Sequence, residues 1–174
     1  MGRFTRSELE QAAERFRNTA RQSATSHDWT PWANLLTEDA TYREHHFGEF
    51  CGREAIYRWI SSIMSPYPMN HMLYFPWTWW VIDEERGWVI AEIMNRMLDP
   101  GDGSLHQEPN ITILHYAGDN LWRYEEDAYD WQNVVKMIER WQQAKEYCEK
   151  LVAQGRDPRA ERHLGRIENV PSRP

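Results

Sequence analysis

Cysteine and long apolar runs are scarce in this sequence, and their scarcity excludes several classes of protein. Cys51 and Cys148 are the only cysteines among the 174 residues, too few for a disulfide framework or a zinc site. No apolar run approaches the roughly 20 residues of a membrane span, and residues 1–10 lack the apolar core of a signal peptide. We therefore expect a cytoplasmic protein that has no membrane partner.

Positive charge is scarce as well. Lys and Arg number 20 against 27 Asp and Glu, which gives a formal net charge of −7. A field of this sign disfavours the phosphates of nucleic acids and of anionic membranes. The chain also lacks a Gly-rich phosphate loop, a Gly-x-Ser-x-Gly elbow and the histidine spacing of a metal site. We expect no nucleic-acid partner, no metal and no other cofactor.

Aromatic residues are abundant. Ten tryptophans and eight tyrosines are more than a core of this size needs, although core packing accounts for many of them. The surplus predicts an apolar cavity that binds an aromatic or polycyclic small molecule.

The first half of the chain predicts three helices and one strand. Thr5, three residues before Glu8, forms a capping box at the start of a long helix, and Thr30 caps a short second helix. A strand at residues 40–45 and a third helix at residues 53–64 follow, the helix from its apolar spacing.

The second half predicts a helix capped by Asp130 and, before it, four strands at residues 72–83, 88–98, 105–116 and 121–129. Because the helices can cover only one face of one sheet, we expect an α+β fold. In it, a cone-shaped, curved antiparallel sheet is wrapped by N-terminal helices around a central pocket, with the C-terminal helix added. Residues 1–153 form this domain, and residues 154–174 form a polar tail that is disordered or packs on a partner subunit.

Three short stretches carry a family resemblance. They are Trp29 and Leu35-Leu36 before Glu38-Asp39-Ala40-Thr41-Tyr42, then Gly52-Arg53-Glu54-Ala55-Ile56, then Leu121-Trp122-Arg123 leading to Glu125, Asp127 and Tyr129. Over about residues 7–141 the chain resembles the SnoaL-like branch of the nuclear-transport-factor-2-like superfamily. That superfamily includes polyketide cyclases, steroid isomerases, dehydratases, epoxide hydrolases, lyases of lignin-derived diaryl compounds, non-catalytic subunits and plain binders. The resemblance therefore implies a fold and leaves the reaction open.

The scytalone-dehydratase type is the most similar branch, because it has a C-terminal helix, a tyrosine like Tyr42 and a histidine like His71. Its Tyr-Asp pair, however, falls here near Ala24 and Thr25, and its second histidine falls near residues 95–97. The dehydration mechanism is therefore not carried over with the resemblance.

The last predicted strand carries the strongest candidates for chemistry. Arg123, Glu125, Asp127 and Tyr129 share one face by alternation, and the resemblance implies that this face lines the cone. A carboxyl group among tryptophans would have a raised pKa, which suits a general acid or base. The alternative is a solvated strand face with ion pairs.

Further candidates come from the neighbouring segments. His71 is predicted to shuttle a proton, the alternative being a loop histidine bonded to the backbone. His45 and His46 face opposite ways, so that only one of them can reach the pocket. The predicted substrate-binding residues are His45, the polar Asn95, Asn110 and Thr112, and the apolar walls Trp77, Trp79 and Trp131.

These residues favour a cofactor-independent acid/base enzyme: a lyase, dehydratase, cyclase or isomerase acting on an aromatic or polycyclic substrate. His71 and Asp127 would divide the acid and base roles, with Glu125 as a further catalytic candidate, and Tyr42 would donate to a substrate oxygen. One alternative is a ligand carrier or an accessory protein like dioxygenase β subunits. Another is hydrolysis by a carboxylate-activated water, as in epoxide hydrolases, for which Arg123 beside Asp127 is the hint.

The outer face of the sheet is predicted to carry apolar residues that a monomer would leave in water. Trp88, Trp122 and Tyr124 are the candidates. We therefore expect a homodimer or homotrimer.

Overall fold

Side-chain caps start the two long helices where the sequence predicts them. In the computed structural model, which describes residues 3–165, Thr5 Oγ1 accepts a hydrogen bond from the Glu8 backbone at the start of α1 (Arg6–Ser26). Asp130 Oδ1 does the same for Gln132 at the start of α4 (Trp131–Ala153). Each helix buries one apolar face. The remaining helices are α2 (Thr30–Ala33), α3 (Arg53–Met64) and α5 (Pro158–Gly165).

Seven strands form one sheet. They are β1 (Leu36–Glu44), β2 (Gly48–Cys51), β3 (Met72–Tyr74), β4 (Trp77–Asp83), β5 (Trp88–Met97), β6 (Gln107–Gly118) and β7 (Leu121–Ala128). Their order is β2-β1-β7-β6-β5, and both β3 and β4 pair with β5. All pairs are antiparallel except β1 with β7, which run parallel. The predicted α+β fold with a curved sheet, N-terminal helices and a C-terminal helix is confirmed.

Several predicted boundaries differ from the structure. The strand predicted at residues 72–83 is broken into β3 and β4 at Phe75-Pro76, because proline has no N–H to donate to the sheet. The strand predicted at residues 40–45 begins earlier, at Leu36. Helix α5 lies within the predicted tail, where Arg159 pairs with Asp99 at 2.9 Å. Residues 166–174 of that tail lie outside the described residues, and the domain boundary stays a prediction.

The inner face of the sheet forms the core. Residues of β5 and β6 alternate between buried and partly exposed, which is the pattern of a sheet covered on one side. Helix α1 contacts β3 and β5 on the covered side, and α3 contacts β1 and β2. None of the helices within residues 3–165 combines the length and the apolar character that crossing a membrane requires.

A β-bulge changes the predicted face of Trp122. His115 pairs with Tyr124, but the next residue of β6, Tyr116, pairs with Trp122, so Arg123 is an extra residue in β7. Trp122 therefore enters the core and is fully buried, and its prediction as an outer-face residue is wrong.

The outer face of the sheet is apolar across four strands. Trp88, His115 and Tyr124 stack on one another with ring centroids 4.2 and 4.4 Å apart. Beside this stack, the register places further partly exposed apolar side chains on the same face: Trp79, Val81, Ile90, Met94, Ile111 and Ile113. Glu92, between Trp79 and Ile111, and Glu126, opposite Ile113, interrupt this face. A mainly apolar face of this kind is still characteristic of an interface.

We predict that a second copy of the chain covers this outer face. Ile90→Lys puts a charge between Val81 and Ile113, and we expect it to convert a homodimer or homotrimer into a monomer without unfolding the chain. Light scattering would measure the mass of both proteins. Val152→Lys, on an exposed position of α4, is the matched control. A wild-type protein that scatters as a single 20.9 kDa chain would contradict the prediction.

Candidate active site

A cavity lies between the inner face of the sheet and helices α1 to α3, with the start of α4 at one side. Its volume is about 120 Å³, comparable to apolar cavities that hold a single benzene ring. Most of its wall is apolar and aromatic: Phe16, Ala20, Trp29, Trp32, Phe47, Trp59, Ile60, Ile63, Met64, Met69, Met72, Phe75, Trp77, Ile93, Trp131 and Val134.

Polar side chains from β1, β6 and the end of β7 line one part of this cavity. The parallel pairing places Tyr42 opposite Glu125 and Glu44 opposite Asp127. On the other side of β7, Thr112 lies opposite Asp127. Residues that pair directly across strands share a face, so these groups converge. The polar lining consists of Arg17 from α1, Asn95 from β5, and the residues Tyr42, Glu44, Asn110, Thr112, Glu125, Asp127 and Tyr129.

Asp127 is held by two hydroxyl groups. The Tyr42 hydroxyl donates to Oδ2 and the Thr112 hydroxyl donates to Oδ1, each at 2.5 Å. Asn110 Nδ2 donates in turn to Thr112 Oγ1 at 3.1 Å. Burial raises the pKa of Asp127, while the hydrogen bonds from Thr112 and Tyr42 act against that rise. The carboxyl group is therefore fixed in position, and the two hydrogen bonds offset part of the rise in its pKa that burial causes.

Tyr42 is committed to this carboxylate. Burial, and then the charge of Asp127, raises the pKa of Tyr42 well above its ordinary value, so the phenol keeps its proton. That proton lies on the bond to Asp127. The predicted donation from Tyr42 to a substrate oxygen would therefore require this bond to open.

Glu125 has the opposite environment. Its side chain is 4% exposed, and its Oε2 atom has no hydrogen-bond partner in the described part of the chain. Burial, and then the neighbouring Asp127, raises the pKa of Glu125 well above its ordinary value. Burial therefore favours the protonated form of Glu125, which is the form that can donate a proton.

Glu44 and Tyr129 also contribute to the polar part of the lining. Tyr129 was predicted to share the cavity face with Glu125 and Asp127, whereas Glu44 was not predicted. Glu44 Oε2 accepts from the backbone amides of His46 and Phe47 at 2.7 and 2.6 Å, which fixes the turn after β1. Phe47 then lies against Trp131, with centroids 5.1 Å apart. Burial, followed by the nearby Glu44, raises the pKa of Tyr129. Alternation from Tyr42 was the signal that could have identified Glu44.

Of the predicted site residues, eight line the cavity together: Tyr42, Trp77, Asn95, Asn110, Thr112, Glu125, Asp127 and Trp131. The remaining three, His71, His45 and Trp79, do not.

His71 does not reach the cavity, so the structure does not support the proton-shuttle prediction. It ends a 3₁₀ turn, Met69–His71, and the next residue, Met72, takes the inward position at the start of β3. The imidazole instead packs on Trp141, and its Nδ1 lies 2.8 Å from Asn70 Oδ1. Partial burial, and then Lys145, lowers the pKa of His71, which keeps the ring neutral at pH 7.

His45 and Trp79 lie on the outer face of the sheet. His45 Nε2 lies 2.7 Å from Glu126 Oε1, and His46 is exposed and stacks on Trp131, so neither histidine lines the cavity. For Trp79 the cause is a register shift in β4: Trp77 pairs with Ile93 and Trp79 with Glu92, so alternation is lost between the two tryptophans.

A metal centre is not evident in the part of the chain that the structure describes. There, no three or more His, Cys, Asp or Glu side chains are grouped so as to hold a metal ion. Chemistry without a metal or cofactor stays a prediction.

No family model matches the chain, and no curated protein matches it either. Solved structures do. A protein from Jannaschia sp. CCS1, described as a SnoaL-like polyketide cyclase, has a TM-score of 0.59 and 14% identity, and the match covers 76% of this chain and 92% of that one. A protein with a ketosteroid isomerase-like fold from Catenulispora acidiphila, in complex with trimethylamine, has a TM-score of 0.57 and 18% identity, covering 71% and 92%. An M. tuberculosis LEH-like epoxide hydrolase has a TM-score of 0.55 and 16% identity, covering 82% and 93%.

The chain has the NTF2-like fold of the SnoaL-like proteins. Identities this low establish the fold and no particular reaction. The neighbours nevertheless include proteins described as a polyketide cyclase and an epoxide hydrolase, and one in complex with a small molecule.

We predict that Glu125 makes stability fall as pH rises. Between the ordinary glutamate pKa, about 4.3, and its raised value in the folded protein, only the folded chain holds the proton. Glu125→Gln removes this titration, so its free energy of unfolding should rise relative to wild type by up to about 1.4 kcal/mol per pH unit in that window. Urea unfolding at several pH values measures the difference.

Glu126→Gln is the matched control, because the pKa of Glu126 is lowered instead of raised. Hydrogen bonds from Tyr124 and His45 lower this pKa. The stabilisation of the fold by Glu126 is therefore present above the ordinary pKa and is lost as pH falls. A stability difference for Glu125→Gln that does not change with pH would contradict the raised pKa.

Proposed function

We propose that this protein is a cofactor-independent acid/base enzyme, a lyase, dehydratase, cyclase or isomerase, acting on a small aromatic or apolar molecule. The observation that carries the proposal is the pair of neighbouring carboxyl groups with different environments in one aromatic cavity. Glu125 has an unpaired oxygen and a strongly raised pKa, whereas Asp127 accepts two hydroxyl hydrogen bonds. Pairs of this kind divide acid and base roles in enzymes.

The roles follow from the hydrogen bonds. Glu125 is the general acid, because it holds a proton that no protein group accepts. Asp127 is the general base, because Tyr42 and Thr112 favour its charged form. The aromatic wall binds the ring and excludes water, which strengthens the electrostatic interactions in the cavity. Each positioned acid or base contributes roughly 10²–10⁴ in rate.

Thr112 and Asn110 act as positioning residues in this proposal. The hydrogen-bond chain runs from the Asn110 amide to Thr112 and on to Asp127, so neither donor is free for the substrate. Their predicted role in direct substrate binding is therefore replaced by one in orienting the base. Asn95 and Trp131 remain proposed substrate contacts.

The hydrolase alternative has lost its sequence argument. Arg123, the hint for an activated water beside Asp127, is exposed on the bulge of β7 and does not line the cavity.

A carrier or accessory role remains the second candidate, favoured by the apolar wall. Co-purification of a large iron-containing partner with an inactive chain would support it. A homodimer or homotrimer and a cytoplasmic location complete the proposal.

We predict that Glu125→Gln and Asp127→Asn each lower turnover at least ~100-fold, because each keeps the shape of the side chain and removes its proton transfer. A panel of small aromatic ketones and amines in heavy water, followed by NMR, detects both turnover and deuterium exchange at carbon. Glu126→Gln and His71→Ala are the controls and should stay within a few-fold of wild type. Retention of full activity by both cavity variants would refute the proposal.

We predict that Thr112→Val shifts the basic group of the pH profile upward, because Asp127 loses a hydrogen bond that lowers its pKa. The pH dependence of kcat/KM reports this group. Thr112→Ser keeps the hydroxyl and should restore the wild-type profile. A general loss of activity with an unshifted profile would indicate a structural role for Thr112 only.

A further inference from the structure

The charges that line the cavity are unbalanced. Glu44, Glu125 and Asp127 supply three carboxyl groups, and Arg17 is the only Lys or Arg among the described lining residues. The Arg17 guanidinium lies over the rings of Trp77 and Trp80, 5.4 and 5.5 Å from their centroids, and 3.9 Å from Glu14. Among residues 3–165, no ion pair joins it to the three cavity carboxyl groups. A positive charge is therefore missing at the polar end.

Three deeply buried oxygen atoms in this lining also lack a hydrogen-bond donor among residues 3–165. They are Glu44 Oε1, Glu125 Oε2 and Asn110 Oδ1, on residues that are 2%, 4% and 4% exposed. The orientation of the Asn110 amide is fixed by its neighbour: Thr112 gives its proton to Asp127, so it must accept from Asn110 Nδ2. The remaining amide atom is an acceptor, and N–H or O–H groups on a ligand would satisfy these oxygens.

Aromatic rings stand beside the same carboxyl groups. Tyr42, whose hydroxyl binds Asp127, lies 4.9 Å from Trp59, and Phe47 lies 5.1 Å from Trp131, measured between ring centroids. All four rings line the cavity. The faces of such rings attract a cation, and the attraction is greatest where water is excluded. Trp59 Nε1, a buried donor without a partner among residues 3–165, belongs to this wall.

From these observations we infer that the substrate presents a basic nitrogen, an amine or imine on an apolar ring body, to Glu125 and Asn110. The inference rests on the proposed function, because it identifies the atom that receives the proton of Glu125. In that step the O–H bond of Glu125 breaks and an N–H bond forms with the lone pair of the nitrogen. Glu125 becomes a carboxylate, the nitrogen becomes a cation, and no further reactant is needed.

A nitrogen suits this site better than a neutral oxygen. A protonated nitrogen supplies the missing positive charge and pairs with the Glu125 carboxylate beside Asp127, which relieves the repulsion between the two. It also donates to the unpaired oxygens. A neutral oxygen accepts the hydrogen bond of Glu125 but leaves the Asn110 oxygen and the net negative charge as they are. An anionic ligand is repelled by the carboxylates of Glu44 and Asp127.

Three probes of similar shape test the inference on the wild-type protein: benzylamine, benzyl alcohol and benzoate. Quenching of tryptophan fluorescence gives the dissociation constants. We expect benzylamine to bind at least about tenfold more tightly than benzyl alcohol, and benzoate not to bind measurably. Equal binding of benzylamine and benzyl alcohol would overturn the inference.

Proton release gives a second readout. Benzylamine is already protonated at neutral pH, so its binding should expel the proton of Glu125, and its affinity should rise as the pH increases towards the raised pKa of Glu125. Calorimetry in two buffers of different ionisation enthalpy measures the released proton.

The other titratable groups that line the site are Tyr42 and Glu44 from β1, Asp127 and Tyr129 from β7 and its end, and Arg17 from α1.

Glu125→Gln should abolish proton release and weaken benzylamine about tenfold while leaving benzyl alcohol unchanged. Glu126→Gln, on the outer face, should behave as wild type in both readouts. Amine affinity that is unaffected by Glu125→Gln would overturn the inference.

The outcomes separate the inference from the proposed function. Tight amine binding with proton release, but no turnover or exchange of any aromatic amine or ketone, would support the inference and remove the catalytic proposal. Turnover of a neutral ketone that depends on Glu125 and Asp127, without preference for amines, would keep the catalytic proposal and remove the inference.

Discussion

The parallel pairing of β1 with β7 is the constraint on which the candidate site depends. These strands are separated by about eighty residues of sequence, yet their register places Tyr42 opposite Glu125 and Glu44 opposite Asp127. On its other edge β7 pairs with β6, which brings Thr112 opposite Asp127. A slip of β7 by one residue would turn Glu125 and Asp127 to the outer face, away from Tyr42 and Glu44 of β1. The chemistry of the cavity is thus set by strand pairing before any helix closes it.

Burial of these carboxyl groups is unfavourable in free energy, and a different interaction offsets the penalty at each of them. Asp127 accepts hydrogen bonds from two hydroxyls, and Glu44 accepts them from two backbone amides. Glu125 is left with an unpaired oxygen and keeps a proton instead of a charge. Neutralisation by protonation leaves the group reactive, whereas the hydrogen bonds of the other two fix them in position. The division of roles between acid and base therefore arises from how each carboxyl group avoids an uncompensated buried charge.

Sequence alternation predicted much of the fold and part of the site. It placed Glu125 and Asp127 on one face of β7, and Asn110 and Thr112 on one face of β6, because those stretches are regular. It failed where the period of two is broken. The register shift after Trp77 turned Trp79 outward, and the extra residue Arg123 brought Trp122 inward. For His71 the strand starts at Met72, as predicted, but the 3₁₀ turn Met69–His71 before it places the imidazole against Trp141 instead of in the cavity. Bulges and strand ends are set by packing, which the periodicity of a single chain does not contain.

The loss of His71 from the site changes what the resemblance to dehydratases can mean. Tyr42 keeps its position on β1, but its proton is bound to Asp127, and the acid role moves to a carboxyl group on the neighbouring strand. A protein that only held an apolar ring would have no use for that group, since an unpaired buried polar atom costs about 1–3 kcal/mol. Leucine or glutamine would fill the same space at position 125 without such a titration. A buried glutamic acid that faces an aromatic cavity and lacks a partner is therefore better explained by a ligand that takes or gives a proton than by binding alone.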